Sequence, residues 1–192
     1  MKKKIALVCA FVLVIALAVS GTYAYLTSSD QVKNTFTIGK VAITLDEAKV
    51  NEYGELARDA AGRVKANTYK LIPGNTYVKD PTVHVDPDSE ACYIFVKVED
   101  SITALEATKT VAEQIAEKRW TALADQAGVY YKTWATGDAV DLVVFDNFTI
   151  KADADVSVIT ANDGITVTAY AIQKAGLGDA ATAWAALNPA NP

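Results

Sequence analysis

Histidine and methionine each occur once in this 192-residue chain, and cysteine only twice. A single histidine, His84, does not supply the usual zinc ligand set, and no HExxH pattern is present. There is no GxSxG to flag a nucleophile and no glycine-rich phosphate loop. Cys9 lies inside an apolar run near the N-terminus, so the rest of the chain holds Cys92 alone and forms no internal disulfide. Basic residues are outnumbered, 18 against 23 acidic. The formal net charge of −5 argues against a nucleic-acid-binding surface. No internal repeat or low-complexity tract breaks the chain. These absences leave no catalytic residue, no metal site and no cofactor to expect, and an enzyme is not the first reading.

The N-terminus is different in kind. Three lysines follow Met1, and Ile5 to Val19 is uncharged and apolar, ending in Ser20, Gly21, Thr22, Tyr23 and Ala24. A basic start, an apolar stretch of roughly 7–15 residues and a small-x-small exit describe a secretory signal peptide. Cleavage is expected between Ala24 and Tyr25, with Thr22 and Ala24 as the small residues. Counting on through Leu26 nearly reaches the ~20 apolar residues of a membrane-spanning helix, so a retained anchor is the alternative. Cys9 follows Leu7 and Val8 in mid-run, which is not the arrangement of a lipid-anchor signal. Removal of the segment takes away three lysines and leaves 15 basic against 23 acidic residues. Contact with a membrane is then expected only before cleavage.

The remainder of the chain is rich in short alternating stretches. Val41, Ile43 and Leu45 share one strand face, opposite Ala42 and Thr44. Residues 51–67 are polar and aperiodic, a loop or protruding hairpin. Pro73-Gly74-Asn75 and Pro87-Asp88-Ser89 read as turns, and Pro81 as an edge or strand start. Tyr93 to Val98 is the strongest strand, and places Cys92 in the core. The period then changes. Thr110 and Glu113 form a capping box for a helix running to about Ala124, with Val111, Ile115 and Leu123 on one side. A helical turn near Leu105 precedes it. "GVYYKTWAT", "VDLVVFDNFTI" and "ITVTAYAIQ" read as strands, Asn162-Asp163-Gly164 as a turn, and Asp179 caps a last helix over 180–187. The fold class is mainly β: a jelly-roll-like antiparallel β-sandwich with one or two short helices. Three segments result: a signal peptide over 1–24, a flexible segment over 25–35, and the sandwich over 36–192.

Few side chains suggest chemistry. His84 is expected on an exposed strand face beside Asp86. Acidic groups at Asp86/Asp88/Glu90, Asp138/Asp141/Asp146 and Asp153/Asp155/Asp163 lack the spacing of an EF-hand and read as solvated surface, with weak calcium binding as the alternative. Trp120, Trp134 and Trp184 are core aromatics, or a carbohydrate platform if exposed. The new N-terminus, Tyr25 to Asn34, has neither proline nor glycine and carries the apolar residues Tyr25, Leu26 and Val32. Such a segment suits either a disordered tether or a strand that adds to another sheet's edge.

"GTYAYLTSSDQVKNTFTIGKVAITLDE" resembles the opening of the TasA/camelysin family, whose members are exported through a dedicated SipW-type signal peptidase. "TYKLIPGNTYVKDPTVHV" and "VTAYAIQKAGLGDAATAWAAL" are similar to later parts of the same family. The resemblance implies a secreted jelly-roll subunit of extracellular fibres in a Gram-positive biofilm matrix. Its partners would be further copies of itself, the signal peptidase and, in some systems, an accessory matrix protein. Fibres would form by donor-strand exchange, with the donor drawn from Tyr25, Leu26 and Val32. Some members carry a metalloendopeptidase label, which gives the alternative of a camelysin-type secreted peptidase. A non-polymerising surface binding module is the third reading.

Overall fold

A computed structural model describes residues 40–56, 62–160 and 162–187. The cleavage residues Ala24 and Tyr25 and the donor residues Tyr25, Leu26 and Val32 lie outside the described residues. Among the described residues ten strands run β1 (Ile43–Ala48), β2 (Arg63–Val64), β3 (Thr76–Val78), β4 (Thr82–Val85), β5 (Cys92–Asp100), β6 (Thr121–Ala122), β7 (Val129–Trp134), β8 (Asp141–Val143), β9 (Asn147–Thr149) and β10 (Ile165–Gln173). The described residues also form two short α-helices, α1 (Val111–Glu117) and α2 (Ala180–Leu187). One sheet has the order β2-β1-β4-β8 and a second the order β10-β5-β7-β6, with β3 and β9 forming a separate pair. Every named pairing is antiparallel. The mainly-β expectation, antiparallel sheets packed together with two short helices, holds.

The strand β5 explains the layering. Cys92, Ile94, Val96 and Val98 point into the main core, which also takes Val83 and Val85 of β4, Phe145 and Phe148. Tyr93 and Phe95 point the other way, into a second cluster closed by Ala183 and Trp184 of α2. A period of two puts successive side chains on opposite faces, so a strand hydrophobic at both parities must be covered on both sides. Asp179 begins the covering helix by accepting from Thr182 N–H at 2.8 Å. Trp184 then rests against Phe95 and Tyr170, with ring centroids 5.2 and 5.4 Å away.

The capping box before α1 is present, with Thr110 and Glu113 bonding each other's backbone. The helix ends sooner than the sequence suggests, at Glu117 rather than near Ala124. Arg119 adopts φ 62°, a left-handed conformation that an α-helix does not continue through. Trp120 is thereby turned into the core, where its indole N–H donates to Val143 O at 2.9 Å. Leu123 joins the second cluster and not the helix face. Pro81 stands just before β4, an interior strand, so it marks a strand start and not an edge. The stretch read as one strand over 140–150 holds two, β8 and β9, in different sheets. The polar 51–67 region contributes β2, which pairs with the end of β1.

Candidate functional site

The feature that distinguishes this sandwich is an open seam. On one side runs β1, whose partner β2 reaches only Glu47 and Ala48. On the other runs β10, paired with β5 along all nine residues and with no strand on its outer edge among the described residues. Between them lies a groove of about 780 Å³. Its apolar lining includes Leu45, Tyr69, Leu71, Ile102, Phe148, Ile165 and Val167, and its rim carries Asp46, Lys65, Asn67, Lys79, Thr160 and Asp163. Leu45, Tyr69, Leu71, Ile165 and Val167 are only partly covered although they pack against the main core. Inside the groove, polar groups are already matched. Lys79 pairs with Glu47 at 2.6 Å, both side chains nearly buried, and Asn67 donates to the other Glu47 oxygen at 2.9 Å. Tyr69 donates to Val78 O at 3.0 Å, and burial followed by the Glu47 charge raises its phenol pKa. No nucleophile beside a histidine lines the groove. Apolar walls, satisfied side chains and the unpaired edge of β10 suit an extended peptide better than a reacting small molecule.

The residues read from the sequence as chemical candidates sit elsewhere. His84 is not beside Asp86. Its Nδ1 lies 2.6 Å from Asp141 of β8 and its Nε2 lies 2.9 Å from Asp46 of β1. The strand register sets this, because β4 runs between β1 and β8. Asp86, beyond the end of β4, pairs with Lys40. Burial opposes a charge on His84, but the hydrogen bonds and charges of Asp141 and Asp46 outweigh it and raise its pKa above 6.5. Arg63 completes the cluster by bonding Asp46, Asp80 at 2.9 Å and Thr82 Oγ at 2.9 Å. The other acidic groups are dispersed. Asp138 accepts from Ala135 N–H, Asp146 pairs with Lys118, and Asp163 accepts from Thr160 N–H and Oγ–H. Among the described residues no set of three His, Cys, Asp or Glu is placed to hold a metal ion. Trp120, Trp134 and Trp184 are all buried, which removes the carbohydrate platform. Cys92 is buried and free, its thiol pKa pushed up to about 11 by desolvation.

The seam is fronted by β1, and β1 lies within the stretch that known proteins share. Residues 1–61 match the camelysin metallo-endopeptidase family. The resemblance carried by "GTYAYLTSSDQVKNTFTIGKVAITLDE" is thus borne out. The camelysin match takes in β1 and the turn after it, and stops before the Pro73-Gly74 turn and β10. No curated protein and no solved structure matches the chain. The donor set does not fit the zinc that the family's name implies. Both ring nitrogens of the one histidine face carboxylate oxygens and leave no lone pair directed to open space. No helix among the described residues is long and apolar enough to cross a membrane.

The seam has no signature in the sequence. Its walls come from residues 45 to 47 and 163 to 167, over a hundred positions apart. The one local cue is that β10 alternates apolar with Thr and Tyr side chains, unlike the doubly apolar β5.

Proposed function

We propose that the chain is a secreted structural subunit of extracellular matrix fibres, assembled by donor-strand exchange. The observation that carries the reading is the seam between β1 and β10, where a sandwich leaves partly covered apolar side chains beside the unpaired edge of β10. Exposed edges of this kind invite another chain, and natural proteins usually cover them. The segment released at Tyr25 supplies an extended occupant, and donation from head to tail generates filaments and not closed dimers. Before cleavage by a SipW-type peptidase the donor is tethered to the membrane, so processing licenses assembly. The partners are other copies, with an accessory matrix protein as nucleator. Negative-stain imaging tests the reading. Mature protein beginning at Tyr25 is expected to form fibres, and the same protein lacking residues 25–38 to remain a folded monomer. Fibres from the truncated protein would sink the donor mechanism.

The family's name favours a second reading, a secreted metallo-endopeptidase. That reading calls for chelator-sensitive peptide hydrolysis lost in His84→Ala. The enclosure of His84 between two carboxylates speaks against it, and no catalytic step is assigned to this chain.

A further inference from the structure

Both β1 and β10 face the seam, but they are not equally open. Ala42 O accepts from Asp86 N–H at 2.9 Å, so the alternation of the strand turns the backbone groups of Ile43 and Leu45 away from β4 and toward the seam. Lys65 Nζ then donates to Leu45 O at 2.6 Å. Beyond it, Glu47 and Ala48 are paired with β2. A lysine on an edge carbonyl followed by a short paired strand is a way of blunting an edge. No such guard is seen on the outer edge of β10 among the described residues; that edge runs for nine residues, about 30 Å of strand, and part of it lies within 8 Å of β1.

The side chains of β10 are sorted by parity. Ile165, Val167, Ala169 and Ala171 pack toward the main core, whereas Tyr170 and Ile172 belong to the cluster under α2. An incoming strand must offer the same division. Between Tyr25 and Gly39 the sequence "QVKNTFTI", Gln31 to Ile38, does so. Val32, Asn34, Phe36 and Ile38 fall at one parity, three of the four apolar, and Gln31, Lys33, Thr35 and Thr37 at the other. Lys40 O accepts from Glu90 N–H in its own subunit, so Gly39 alone joins residues 31–38 to that body and the two subunits must abut at the seam. On the fibre reading above, we infer that the acceptor edge is β10 and not β1. Residues 31–38 of a second copy add there, with Val32, Phe36 and Ile38 filling the groove beside Ile165 and Val167, while Lys65 keeps β1 closed.

Cysteine cross-linking in assembled mature protein tests this. Thr35→Cys is combined with Thr168→Cys on β10 or, separately, with Thr44→Cys on the exposed face of β1. A short bis-maleimide is applied to fibres, and products are separated on a denaturing gel. Cys92, buried with its thiol held protonated, is spared. A ladder of linked subunits is expected from the Thr35/Thr168 pair and only traces from Thr35/Thr44. In a Lys65→Ala background the Thr35/Thr44 ladder is expected to emerge, and its continued absence would overturn the guarding role of Lys65. A ladder from Thr35/Thr44 alone, with Lys65 intact, would overturn the choice of β10 and leave donor exchange standing. Fibres that give no ladder with either pair, or linkage confined within single chains, would overturn donor exchange and the edge assignment together.

Discussion

Replacing Glu106 by glutamine should remove a pH dependence of stability that is built into the core. Glu106 is 3% exposed. One carboxylate oxygen accepts from Val111 N–H, the first residue of α1, at 3.0 Å, and the other has no hydrogen-bond partner. Burial is the main reason that its pKa rises from 4.5 to about 7. The Val111 bond opposes the rise, and the neighbouring Asp100 and Glu113 charges add to it. The folded protein therefore holds a proton that the unfolded chain gives up above pH 4.5. That contribution is fully present below pH 4.5 and is lost as pH climbs through about 7. The interval corresponds to about 3 kcal/mol. Glu106→Gln keeps an acceptor for Val111 and cannot ionise. Urea unfolding of mature protein at half-unit steps from pH 4.5 to 8.5 should show the wild type losing about 3 kcal/mol more than the variant. At pH 8 the variant should be the more stable of the two. Parallel profiles for the two proteins would refute the argument, because they would mean that Glu106 is equally easy to ionise folded and unfolded.

His84 contributes a second pH term over a different window. Two carboxylates face its two nitrogens, and only the imidazolium donates to both, so its stabilisation is complete below pH 6.5 and lost above the raised folded value. His84→Gln should cost about 1–2 kcal/mol at pH 5.5, discounted for the exposed Asp141, and close to nothing at pH 9. Trp184→Ala should destabilise by about 3–5 kcal/mol in urea titrations. The loss comes from uncovering Phe95 and Tyr170 under α2. Gly54→Ala should be among the most damaging single changes. Gly54 has φ +76°, and an added Cβ would meet Tyr77 Cα at 2.6 Å, so a clear fall in Tm by calorimetry is expected. Thr110→Ala removes one half of the capping box and should cost about 1 kcal/mol.

Elements whose identity depends on neighbours in sequence are legible from the residues alone. The strands β5 and β10 follow from their periodicity, the start of α1 from the Thr110/Glu113 pair, and the turn before β10 from Asn162-Asp163-Gly164. All of these are decided by backbone sterics, side-chain alternation and bonds reaching three or four residues. The end of α1 is not legible in this way, because the chain leaves the helix at Arg119 to bury Trp120 against Val143, a partner 23 residues away. His84 looks like a surface residue next to Asp86. Its carboxylate partners lie 38 and 57 positions away and are brought to it by the register of three strands. The seam is the extreme case. That this chain makes an antiparallel sandwich is written in its hydrophobic pattern. Which edge remains open depends on how far β2 runs along β1, and on Lys65 reaching Leu45 O. Those are long-range contacts, and a pattern of local preferences does not specify them.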